Sequence, residues 1–132
     1  MATAAKKTRT FARVTKGPGF VDVRLSLLVA LYRDGGQWVA HALELDLVTF
    51  APTVEAAKER LLKSIEFWVD DAVKHDTFDQ MMRPAPPEIW QRCMSALAHG
   101  AHTETRPYRE LNPESKYPGA IDALRFVPLE AR

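Results

Sequence analysis

Every second residue from Val21 to Leu31 is apolar: Val21, Val23, Leu25, Leu27, Val29 and Leu31. A period of two belongs to an extended strand and not to a helix, because successive side chains of a strand point to opposite faces. One face of this segment must therefore be buried. The intervening set is Asp22, Arg24, Ser26, Leu28, Ala30 and Tyr32, polar at first and apolar later. Its face is expected to be covered toward the end of the strand. Asp34-Gly35-Gly36 follows at once. Glycine reaches positive φ without a Cβ clash and Asp tolerates a turn, so a hairpin is predicted into a second strand over residues 37–43. Glu44-Leu45-Asp46 interrupts that strand, and Leu47-Val48-Thr49-Phe50 reads as a third. Three strands thus precede any helix, and their apolar face needs a cover.

The cover comes next. Thr53 reads as an N-cap, and Glu55 suits the positive end of a helix dipole. Ala57, Leu61, Ile65, Trp68 and Ala72 recur at helical spacing to about Val73, widened by Leu62 and Val69. Glu59, Lys63, Glu66 and Asp70 form the opposite face, read as solvated. Pro84, Pro86 and Pro87 break the helix, and a shorter one is predicted from Pro87, where a missing N–H is harmless. Ile89, Cys93 and Leu97 form its apolar row, with Trp90 and Met94 alongside and Gly100 ending it. Residues 101–119 are polar and turn-rich, and residues 120–127 read as a closing strand that Pro128 terminates. The predicted fold class is α+β: a three-stranded antiparallel meander, an amphipathic helix packed on the sheet, a second short helix and a closing C-terminal strand. Residues 1–19 read as a basic flexible tail, and 20–132 as a single domain with an atypical C-terminal half.

A chain of 132 residues with 46% hydrophobic and 27% charged residues is long enough for one cored domain. Its net charge is only +1, which excludes a global basic field for nucleic acid. Of 18 basic and 17 acidic residues, six and one fall within residues 1–24, a local net of +5 that leaves −4 on the rest. Lys6, Lys7, Arg9, Arg13 and Lys16 are therefore the candidate phosphate contacts. No aromatic residue precedes Phe11, so base stacking has no support there. Cys93 is the single cysteine, which excludes an intramolecular disulfide and a cysteine-rich metal site. No apolar run approaches the ~20 residues of a membrane span, and residues 1–10 lack the apolar stretch of a secretory signal. A cytoplasmic protein with no membrane contact is the expectation.

Catalytic patterns are sparse. A two-metal nuclease needs several converging carboxylates, but residues 25–33 contain none. Asp22, Asp46, Glu55 and Glu59 are scattered, and the neighbours Asp70 and Asp71 diverge on a helix. His99 and His102 sit at a helix end, where the dipole accounts for them. Cys93 lies on an apolar row and reads as core. There is no Gly-x-Ser-x-Gly elbow and no phosphate-binding glycine loop. No catalytic residue, metal or cofactor is expected. His41, inside the second strand, is either a satisfied sheet residue or faces a partner. Trp38 near the hairpin tip, with Tyr32 across the turn, is a candidate protein contact.

Gly35-Gly36-Gln37-Trp38-Val39-Ala40-His41-Ala42-Leu43-Glu44-Leu45-Asp46 resembles the second strand of the HicB-like antitoxin family. That family typically has glycine, an aromatic and Val-Ala-His before a Leu-Asp pair, then a short strand, a Gly-x-Thr turn and a helix opening with Glu-Glu-Ala. Leu47-Val48-Thr49-Phe50-Ala51-Pro52-Thr53-Val54-Glu55-Ala56-Ala57 stands in that place, with Ala51 for the usual glycine and Ala56 for the second glutamate. The resemblance covers roughly residues 25–73. It implies a β-β-β-α-β core, a partial ribonuclease H-like fold without catalytic residues. It also implies an antitoxin that neutralises a small, basic, HicA-like toxin cleaving messenger RNA. Many members add a DNA-binding ribbon-helix-helix or helix-turn-helix segment, and neither order of elements is found in this chain. On this reading Tyr32, Trp38, His41 and Asp46 carry the partner contact, and exposed sheet edges favour a homo-oligomer. The alternatives are a stand-alone oligomeric module of unknown ligand, or a DNA-binding autoregulator using the basic arm. A metal-dependent nuclease ranks last.

Overall fold

The structure is a computed structural model. It describes the backbone of residues 12–17 and 20–129, and side chains over residues 25–129. The strands are β1 (Ala12–Gly17), β2 (Phe20–Asp34), β3 (Gln37–Ala42), β4 (Leu47–Ala51), β5 (Glu104–Pro107) and β6 (Ile121–Pro128). The helices are α1 (Val54–His75), α2 (Phe78–Met81), α3 (Pro87–Ala98) and α4 (Tyr108–Leu111). None of the described helices is long and apolar enough to cross a membrane.

The fold is α+β, built on one mixed sheet in the order β4-β3-β2-β6-β5, with β1 also paired to β2. β2, β3 and β4 form the expected antiparallel meander. The two residues of its first turn, Gly35 and Gly36, both have positive φ, 60° and 84°. That geometry matches the twist of the flanking strands. β6 lies parallel to β2 on its other side, from Leu25↔Ile121 to Leu31↔Pro128.

Both faces of β2 are covered, as expected of a central strand. Leu25, Leu27, Val29 and Leu31 pack on the first face with Leu61, Ile65 and Val69 of α1. Ala40, Ala42, Ala51 and Ala57 are all fully buried there, and their small size lets helix and sheet approach closely. Leu28, Ala30 and Val127 pack on the second face with Cys93 of α3, flanked by Ile89, Trp90 and Leu97. The late apolar residues of β2 therefore meet a second helix layer, and the sheet lies between two helices.

Local chemistry sets the helix ends. Thr53 Oγ1 accepts the Ala56 N–H at 3.1 Å, the predicted N-cap. Ala51 ends β4 without a left-handed residue, so the helix entry differs from a Gly-x-Thr turn. α3 ends in a Schellman motif: Gly100, at φ 82°, donates to Leu97 O at 3.1 Å, and Ala101 N–H to Ala96 O at 2.9 Å.

The sheet is larger than three strands and a closing one. Ala12–Gly17, assigned to the basic tail from sequence, is β1 and pairs with β2 from Gly17↔Phe20 to Ala12↔Leu25. β5 and α4 arise inside the turn-rich stretch, and α2 within the predicted break. These pieces are too short to show a period. Their stability comes from tertiary partners. Tyr108 opens α4, is fully buried, and its O–H donates to Glu66 Oε1 at 3.1 Å. Ser115 Oγ and Lys116 N–H donate to the same carboxylate at 2.6 and 2.9 Å, and Tyr117 O–H to Asp70 at 2.6 Å. Glu66 and Asp70 are thus not a solvated face; they hold residues 108–117 against α1.

Candidate functional site

Pairing across the hairpin sets Arg33 opposite Trp38, Tyr32 opposite Val39 and Ala30 opposite His41. Cross-strand neighbours share a face. Tyr32, Val39 and His41 therefore look toward the second face, and by the same register so do Val48 and Phe50 of β4. Trp38 takes the first face, packed against the α1 core with the Arg33 guanidinium 5.4 Å over its ring. The expected pairing of Trp38 with Tyr32 is thereby corrected. The two rings lie on opposite faces, because a two-residue turn matches 32 with 39 and not with 38.

Three of the four expected contact residues do come together. Tyr32 Oη lies 2.9 Å from His41 Nδ1, and His41 Nε2 lies 2.8 Å from Asp46 Oδ1. An ionised carboxylate can only accept, so Nε2 carries a proton. In the neutral ring Nδ1 then accepts the Tyr32 O–H. His41 is buried, whereas the Asp46 side chain is 41% exposed. Asp46 holds a left-handed φ of 50° between β3 and β4, which points its carboxylate back at the imidazole.

The electrostatics suit binding better than attack. Burial pushes the Tyr32 phenol above its ordinary value, and the nearby Arg92 charge pulls it down. That guanidinium lies 5.2 Å over the ring. A phenol held protonated is a hydrogen-bond donor and not a nucleophile at neutral pH. The chain fixes Tyr32 and Asp46 at either end of a buried ring, on the same face as Phe50, which lies opposite Val39 and is 42% exposed on the edge strand. An acid, an aromatic hydroxyl and an exposed apolar ring thus share one face of the sheet.

The remaining candidates are elsewhere. Lys6, Lys7 and Arg9 lie outside the described residues; Arg13 and Lys16 fall on β1, whose side chains also lie outside them. Cys93 is core, and burial pushes its thiol up to about 11. His75 and His99 bond their own helices through Asp71 O and Ser95 O. Among the described residues no group of three or more His, Cys, Asp or Glu is placed to hold a metal ion.

Phe50, Glu44 and Glu66 were not anticipated as functional or structural anchors. Phe50 had a signal, since it closes the uncharged run Leu47-Val48-Thr49-Phe50 at the edge of a meander. Glu44 had one too, as an acid between Leu43 and Leu45. Burial pushes its carboxyl up to about 7. Glu66 had none, because its partners lie 42 to 50 residues away. Comparison with protein-family models, with curated proteins and with solved structures found no match.

Proposed function

We propose that the chain is a HicB-like, non-catalytic binding module, an antitoxin that covers a small, basic, HicA-like ribonuclease. The observation that carries the reading is topological: a three-stranded meander, a long helix, and a returning strand parallel to the first strand of the meander. With β1 set aside, and α2, α3, β5 and α4 taken as insertions before β6, that is the β-β-β-α-β order the resemblance implies, and the step from it to function is fold-level analogy. Two features of the surface agree with it. Residues 25–132 carry a net charge of −4, complementary to a basic partner. The Tyr32–His41–Asp46 chain and Phe50 supply fixed polar and apolar contacts on one face.

A self-associating module is the second reading, and one observation favours it. β5 is four residues long and is defended by Glu104, Arg106 and Pro107. β4, the other edge, is Leu-Val-Thr-Phe-Ala, with neither charge nor proline. Its side-chain cap is Arg60, which donates to the Phe50 carbonyl. Undefended edges pair with other strands.

The test is co-expression of the full chain with a small basic gene adjacent to its own. Growth rescue and a stable complex, weakened by Phe50→Arg, are expected. If neither rescue nor complex is seen, the antitoxin reading is wrong. A dimer by light scattering that Phe50→Arg dissolves would then favour the second reading.

A further inference from the structure

Glu44 Oε2 is buried and has no hydrogen-bond partner, the one such side-chain atom among the described residues. The residue is 6% exposed. Its other oxygen, Oε1, accepts the Leu28 N–H at 2.9 Å. The ladder explains that bond. β1 leaves β2 at Leu25 and β3 joins it at Val29. In the gap the Leu28 carbonyl takes the Leu43 N–H at 2.9 Å, and the Leu28 N–H is left for a side chain. The carboxyl thus completes the sheet beside Leu28, itself part of the second-face core, and lies within electrostatic reach of Cys93.

The cover over this core is α3, and it is lightly anchored. Cys93 is its one fully buried residue, whereas α1 buries Ala57, Leu61, Ile65, Val69 and Ala72. Trp90 and Leu97 are half-buried, and Met94 is 45% exposed. Its entry is pinned, since Ala85 is buried and its N–H donates to Leu43 O at 2.7 Å, so the helix can hinge at Pro86 and Pro87 and come away from its Gly100 end.

We propose that α3 is a proton-gated cover on the second face of the sheet, seated while Glu44 is protonated and released when Glu44 ionises. An ionised carboxylate needs water or donors at both oxygens, and the seated helix leaves Oε2 with neither. Lifting α3 readmits water. The neutral acid makes a much smaller demand, so it tolerates the closed state.

The groups facing this site do not replace the missing donor. Cys93, from α3, is a thiol that burial and the Glu44 charge keep protonated. Arg125, on β6, is exposed, and its charge acts on Cys93. Tyr32 and His41, on β2 and β3 of the same face, are bonded to each other and to Asp46, and Arg92 of α3 stacks on Tyr32. Burial pushes the acid from 4.5 up to about 7, outweighing the Leu28 N–H and Glu44's own backbone N–H, both of which favour the charged form. With the open form near the ordinary value, each pH unit in that window multiplies the opening equilibrium by about ten. The total is roughly 300-fold, with a plateau above pH 7.

Hydrogen exchange of the full chain between pH 3.5 and 8, corrected for intrinsic rates, tests this. In the wild type the α3 amides should lose about 300-fold protection, while α1 amides stay better protected. Glu44→Gln, which keeps the bond to Leu28, should make α3 protection independent of pH. Cys93 is the only cysteine, so alkylation gives a second readout. At pH 8 it should be on the order of 300-fold faster in the wild type than in Glu44→Gln. Flat α3 protection in the wild type overturns the proposal, whether or not the variant folds. Equal protection of α1 and α3 at every pH also overturns it, since both helices then exchange only through global unfolding.

Discussion

Glu66→Ala removes one carboxylate and three hydrogen bonds at once, from Tyr108 O–H, Ser115 Oγ and Lys116 N–H. The three are not equivalent. Lys116 is exposed and Ser115 half-buried, so water can replace the lost acceptor for both. Tyr108 is fully buried, and its hydroxyl keeps the bond it accepts from Asn112 Nδ2 at 3.0 Å and the neighbouring Ser115 hydroxyl, but loses its carboxylate acceptor. A hydrogen bond to a charged group contributes ~1.5–3 kcal/mol, and a buried donor left without an acceptor costs ~1–3 kcal/mol. The variant should therefore lose about 2–3 kcal/mol, measured as a lower urea midpoint at unchanged slope. Tyr108→Phe removes the same hydroxyl and should cost ~1–1.5 kcal/mol. In the double mutant the two losses should overlap, with a coupling of ~1 kcal/mol. An ordinary solvated glutamate would change stability by less than ~0.5 kcal/mol. A loss that small, or a coupling of zero, would refute the claim that Glu66 holds residues 108–117 on α1.

Three further outcomes are expected. Asp46→Ala strands the buried His41 Nε2–H and puts alanine at φ 50°, so it should cost ~2–3 kcal/mol in thermal denaturation. Asp46→Asn keeps an acceptor and tolerates that backbone, and should cost less than ~1 kcal/mol. Glu44 makes global stability depend on pH. Its folded pKa of about 7 exceeds the ordinary 4.5, so the native state keeps a proton that the unfolded state has released. Stability from this group is complete below pH 4.5 and is lost as pH rises to about 7, by ~3 kcal/mol. The check is wild type minus Glu44→Gln across that range; a difference that does not change with pH contradicts it. Leu61→Ala, at a fully buried α1 position, should cost ~2–5 kcal/mol by chemical denaturation, and a loss under 1 kcal/mol would show that α1 is not the clamp on the first face.

What was legible in the residues was local. The period of two from Val21 to Leu31 is β2, the Asp34-Gly35-Gly36 turn is the hairpin, and Thr53 and Gly100 mark helix ends. Each is decided by a few adjacent residues and by backbone sterics, so it survives without a tertiary context. The register behind the Trp38 correction was also legible, since a two-residue turn pairs Tyr32 with Val39. His41 and Asp46 stood out as polar residues in an apolar stretch, but their bond to Tyr32 needed the hairpin to close.

The amino-acid order by itself determined the meander, the amphipathic α1 and the α+β class, because side-chain period and capping act within one element. Only the tertiary structure decided that residues 121–128 return parallel to β2 and that α3 closes the second face. It alone decided which acids are solvated. Glu66 and Glu44 read as surface and as an interruption, yet one holds a distant segment and the other completes the sheet. A carboxylate's role depends on the donors that reach it. Here those donors come from Leu28, 16 residues before Glu44, and from residues 42 to 50 positions after Glu66, separations that no local pattern encodes.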